Sequence, residues 1–166
     1  MSIRAAFGRW SLLNERLTDA IRTLSYEQLA TSAGPGRWPL WAVVGHLACQ
    51  RVFWLCDFAG QPGAASTRFT NAGWDCPGDD DLENALSAAE LTVALASTFV
   101  IVESVLDTWT FDWLDDELTR PEWGPEWRHT RGFIVERVHA HDLWHTAEAN
   151  EILTRLGVNQ VDPWSG

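Results

Sequence analysis

Three histidines stand within seven residues in VHAHDLWHTAEANEIL (Val138–Leu153). Each neutral imidazole offers one lone pair, which makes histidine a common ligand for divalent metal ions. Whether the rings can act together depends on the element that carries them. The stretch from Arg131 to about Leu156 reads as one amphipathic helix, stopped by Gly157. At 100° per residue, Ile134, Val138, Ala149, Ile152 and Leu156 form one apolar stripe, with His141 and His145 in its middle. Four residues apart, the two are neighbours on one face. His139 points roughly the opposite way, near Thr146 and Asn150, and is expected on a solvated face. Glu148 sits at the edge of the stripe, three residues past His145.

Two imidazoles in an apolar stripe must find partners, because an unpaired buried polar group costs roughly 1–3 kcal/mol. Buried hydrogen-bond partners would satisfy them, and so would a shared metal. A structural zinc site would need two further ligands, and no Cys-x-x-Cys is present. His46 is a third candidate, midway along WAVVGHLACQRVFW, a helix expected from Trp38 to Ala59 and apolar almost all round. Three inward histidines on two helices permit a site with an open coordination position, the catalytic pattern rather than the closed structural one.

The remaining elements follow from the same periodicity. A first helix is expected over residues 2–24, and SYEQ (Ser25–Gln28) has capping-box spacing. Residues 60–78 form a loop excursion that can lie over a groove. DDDLE (Asp79–Glu83) supplies the charge a helix N-terminus favours, and predicts a long helix to about Asp116. TRPEWGPEWRHT (Thr119–Thr130) reads as a connection, and His129 within it receives no role. Four long helices and no strand signal beyond a few residues predict an all-α four-helix bundle in a single domain spanning residues 1–166.

Composition narrows the function. The net charge is −11 with no basic cluster, so a nucleic-acid partner is disfavoured. The most apolar run, Leu91–Val102, is shorter than the roughly 20 residues needed to span a bilayer, and the N-terminus lacks the order of a signal peptide. No membrane partner and a cytoplasmic location are therefore expected. Cys49, Cys56 and Cys76 are odd in number and read as small apolar fillers rather than a disulfide framework. The eleven tryptophans are dispersed and read as packing.

GRWPLWAVVGHLACQRVFWL, with Trp38 and His46, resembles the second-helix segment of the DinB/YfiT-like superfamily, and RGFIVERVHAHDLWHTAEANEILTRLG resembles its last. VDPW (Val161–Trp164) is similar to tails in related DinB-like domains, so the likeness runs from about residue 5 to 164. The resemblance implies a four-helix bundle with a long crossover connection. It also implies one divalent metal, zinc or nickel, on His46, His141 and His145. Where the family often has Gln in a His-Arg-Gly-Gln run, this chain has His-Thr-Ala-Glu, which puts the carboxylate of Glu148 near the metal as a candidate catalytic group or weaker ligand. Relatives with assigned activities imply a low-molecular-weight thiol, such as bacillithiol or mycothiol, and an electrophile as partners.

Three functions compete: a thiol S-transferase in which the metal activates the thiol; a hydrolase in which Glu148 or Asp142 moves protons; and a non-enzymatic bundle that binds metal or forms a homodimer. For a thiol, the groove is expected to be aromatic, drawing on Trp41, Phe53, Trp54 and Trp144. Arg51 or Arg128 would neutralise carboxylates on it.

Overall fold

Side chains that satisfy otherwise unpaired backbone N–H groups set the helix starts. Ser25 and Gln28 form the expected capping box at a four-residue helix, α2 (Tyr26–Leu29), which follows α1 (Trp10–Ile21). A second capping box, Ser87 with Glu90, opens α4 (Ala88–Thr108). Thr130 Oγ1 accepts from the Phe133 N–H to begin α5 (Arg131–Arg155). Pro39, which has no N–H to leave unpaired, stands at the start of α3 (Leu40–Val52). The computed structural model describes residues 1–70, 76–79 and 81–164.

Several expectations are corrected. The first helix does not run unbroken over residues 2–24: Ile3–Phe7 form a 3₁₀ turn, and Gly8 and Arg9 separate it from α1. The turn is pinned elsewhere, the Ile3 N–H donating to the Trp109 carbonyl at 3.1 Å. DDDLE does not open α4. The Asp81 carboxylate instead accepts from the N–H groups of Glu83 and Asn84, a local turn that competes with helix. The helix that starts at Ser87 ends at Thr108 rather than near Asp116. The chain is mostly helical but not all-α, because β1 (Glu117–Thr119) and β2 (Arg128–Thr130) pair antiparallel within the expected connection.

α3 is buried at every residue but Gln50, as its all-round apolarity requires, and packs against both α4 and α5. It continues as a π-helix, Phe53–Phe58. That segment carries Phe53 and Phe58 against Trp123 and Trp127 of the hairpin. α4 has 21 residues and contains an 18-residue stretch of mean hydropathy 1.7, long and apolar enough to cross a membrane; half of that stretch is buried here, and the helix packs on α1 and α3. The 12-residue run seen in the sequence is thus part of a longer core helix.

The cysteines are also corrected. Cys49 and Cys76 form a disulfide across 27 residues, and Cys56 is free and buried. Counting cysteines could not reveal this, because the loop after α3 returns Cys76 to the helix that carries Cys49. Residues 71–75 of that loop lie outside the described residues.

Candidate metal centre

α3 presents His46 and α5 presents His141 and His145 to one point. Nε2 of His141 lies 3.1 Å from Nε2 of His46 and 3.2 Å from Nε2 of His145, and all three ligand atoms fall within 4.8 Å of one another. His46 and His145 are buried and His141 half-buried. The remaining ring nitrogens explain the arrangement. Nδ1 of His46 is 3.0 Å from the Pro77 carbonyl, which can only accept, so Nδ1 carries the proton. Nδ1 of His145 is 3.0 Å from Glu148 Oε2, which likewise accepts. In the neutral rings both Nε2 atoms are therefore bare acceptors aimed at His141. His141 Nε2 carries at most one hydrogen, so it cannot satisfy both contacts.

A divalent cation would satisfy all three. Two imidazole nitrogens on a tetrahedral zinc at about 2.0–2.1 Å stand roughly 3.3 Å apart, close to the observed 3.1 and 3.2 Å. Burial pushes the His46 imidazole below its ordinary pKa, and burial with the neighbouring His145 and His46 pushes His141 down to about 2. Neutral rings are the metal-binding form.

The supports come from four segments. The Trp38 ring stacks on His145, 6.0 Å between centroids at 15°, and lies 4.9 Å from His46. Gly78, at φ +89°, packs so closely on Trp38 that a Cβ would stand 2.9 Å from the ring. A Cβ on Gly45 would meet Pro77 at 3.0 Å, so glycine there lets the Pro77 carbonyl approach His46. Glu148 is held on its other oxygen by Arg37, 2.8 Å. Pro77 and Arg37 carry no spacing signal in the sequence, and neither was anticipated.

His141 and His145 line a cleft of about 430 Å³ with Phe133, Glu136, Arg137, Ala140 and Trp144. Of the aromatics expected there, Trp144 lines it. Trp41 and Trp54 are buried, and Phe53 stacks on Trp123 of the hairpin. Neither arginine proposed for substrate is free to serve. Arg51 is 1% exposed and donates to Asp142 at 2.7 and 2.9 Å and to Asn14 at 2.9 Å; Arg128 pairs with Glu117 at 2.6 Å. Asp142, a proposed proton carrier, is equally buried and also accepts from the Trp10 indole at 2.6 Å.

His139 is not solvated. It is half-buried against Phe7 and Trp10, at 5.2 and 4.8 Å between centroids, and burial lowers its pKa. The wheel placed it opposite His141 correctly, but the N-terminal turn and α1 cover that face of α5. The C-terminal tail covers another part, Asn150 exchanging two hydrogen bonds with Val161.

No curated protein matches the chain. Among solved structures it is similar to a DinB-like protein from Bacillus cereus ATCC 10987, with a TM-score of 0.68 and 16% identity over 96% of this chain and 95% of that one. At that identity the likeness shows the fold. The family model for the DinB superfamily matches residues 9–149, which span the first of the three histidines through the last, and the chain belongs to that superfamily.

Proposed function

We propose that the chain is a metal-dependent thiol S-transferase, built as a single-domain four-helix bundle with a long crossover and acting in the cytoplasm. The observation that carries this reading is the convergence of three Nε2 atoms beside an open cleft. Three protein ligands and an accessible fourth position suit chemistry on an exchangeable ligand. A zinc or nickel ion held by His46, His141 and His145 would supply a Lewis-acid position that favours the thiolate form of a thiol.

The chain's own residues then have defined tasks. The Pro77 carbonyl and Glu148 hold His46 and His145 in the tautomer that leaves Nε2 free. Trp38 fixes the planes of both rings. Phe133 and Trp144 give the cleft apolar walls against which an electrophile can lie. The thiol gives its proton to solvent. Its sulfur lone pair forms the new carbon–sulfur bond as the carbon–leaving-group bond breaks, and the leaving group departs with that electron pair. Glu148 is a positioning residue acting through His145. Glu148→Gln should keep the fold but weaken metal affinity about 10-fold, the usual effect of losing such a support; unchanged affinity would remove Glu148 from the site.

The test begins with metal content by mass spectrometry on untagged protein, expected at one equivalent. Turnover is then measured with bacillithiol, mycothiol, glutathione, cysteine and coenzyme A against a bimane electrophile, on loaded and chelator-stripped protein. Thiol-dependent turnover by the loaded form alone supports the proposal. Turnover without thiol would replace it with metal-dependent hydrolysis, and bound metal with no turnover would leave a metal-binding protein.

A further inference from the structure

The cleft beside the imidazoles holds a cation that the site's own contacts leave unused. Arg137 stands on α5 one turn before His141, about 6 Å along the helix axis. Its guanidinium lies over the Trp54 ring, 4.9 Å from the centroid. A guanidinium over a ring face is held by attraction to the ring while its N–H donors stay available for hydrogen bonds. Arg37, Arg51 and Arg128 are committed to Glu148, Asp142 and Glu117. Among the described residues Arg137 makes no ion pair or hydrogen bond.

The surroundings make such a cation informative. The protein carries a net charge of −11, so its general field repels anions, and an anionic substrate needs a local donor. The cleft has one acidic residue on its lining, Glu136; Phe133, Ala140 and Trp144 are apolar or aromatic. Two adjacent guanidinium N–H groups match the two oxygens of a carboxylate. A small molecule with sulfur at the metal position and a carboxylate a few bonds away would span the distance from His141 to Arg137.

We infer that Arg137 is a carboxylate-binding specificity residue, so that the substrate is a small thiol bearing a carboxylate in preference to a neutral one. This rests on the metal and thiol reading above, and the test separates the two. Cobalt(II)-loaded protein is titrated with 3-mercaptopropionate and 2-mercaptoethanol, following the sulfur-to-cobalt absorption band, and with propionate by calorimetry. The carboxylate thiol is expected to bind about 10-fold more tightly than the neutral one. Arg137→Gln should erase that preference while leaving cobalt stoichiometry and 2-mercaptoethanol affinity unchanged, and Arg137→Lys should restore part of it. Two thiols that bind equally to the wild type, or a preference that survives Arg137→Gln, would overturn the assignment and leave the thiol reading standing. If neither thiol produces the band, the thiol reading fails. Propionate affinity that falls on Arg137→Gln would then still support the carboxylate site, and propionate affinity that does not change would overturn that too.

Discussion

Two of the three candidate ligand imidazoles, His46 and His145, are held through Nδ1, which leaves Nε2 for a metal, and this makes the consequences of substitution specific. His46→Ala and His145→Ala should each abolish stoichiometric metal binding, measured by mass spectrometry after gel filtration. His139→Ala should retain the metal, because that ring packs against Phe7 and Trp10 on the other side of α5; loss of metal there would put it in the site. The free thiol makes a second expectation. Burial raises Cys56 to about 11, so at pH 8 its thiolate fraction is far below that of an ordinary cysteine. In the native protein Cys56 should resist alkylation by iodoacetamide under conditions that modify it once urea unfolds the chain; rapid labelling of native protein would contradict its burial. What the sequence allowed here was the inward direction of His141 and His145, since four-residue spacing on a helix determines it. It could not report Pro77 or Arg37, which reach the imidazoles through tertiary contact. Arg137 did have a signal, the four-residue step before His141, but without the cleft nothing distinguished it from other exposed arginines.

α3 and α5 are joined by more than the imidazoles. Arg51 of α3 and Asp142 of α5 are each 1% exposed and bonded to one another, and Trp10 and Asn14 of α1 and Leu95 and Thr98 of α4 also bond to the pair. Removing one member of a buried pair leaves an uncompensated charge, so Arg51→Met should destabilise the protein by about 3–5 kcal/mol in urea unfolding; a change under about 1 kcal/mol would show the network to be dispensable. A separate tie, the Cys49–Cys76 bond, joins α3 to the segment whose Pro77 carbonyl orients His46 and whose Gly78 backs Trp38. Reduction, or Cys49→Ser, should weaken metal affinity by roughly 10-fold, read by competition with a chelating dye. An unchanged affinity would mean that packing against Gly45 and Trp38 holds Pro77 unaided. Because reducing compartments keep thiols reduced, the state of this bond would make metal affinity depend on where the protein resides. The two histidine-bearing helices were readable from apolar periodicity to within a few residues, whereas α1 starts, and α4 ends, about eight residues from where the pattern put them. The hairpin was not, because strands of three residues carry no two-residue alternation, and DDDLE misled because Asp81 spends its carboxylate on a turn.

The molecule as a whole is a helical domain whose two histidine-bearing helices come from distant parts of the chain. His46 and His141 are 95 residues apart, and the disulfide closes a separation of 27 inside that span. Seen as chain topology, the ligand set is a clasp, and a cation on it would cross-link α3 to α5. The entropy of closing a loop grows only with the logarithm of its length, so the inner disulfide eases the outer closure by about 0.3 kcal/mol. The disulfide can therefore matter to the metal through the local fit at Pro77 and hardly at all by shortening the path. The outer clasp is different in kind. Its ligands meet only while the two helices remain docked, so the cation cannot be kept by a chain that has begun to come apart between them. For this protein, loss of the packing of its last helix would carry the metal away with it.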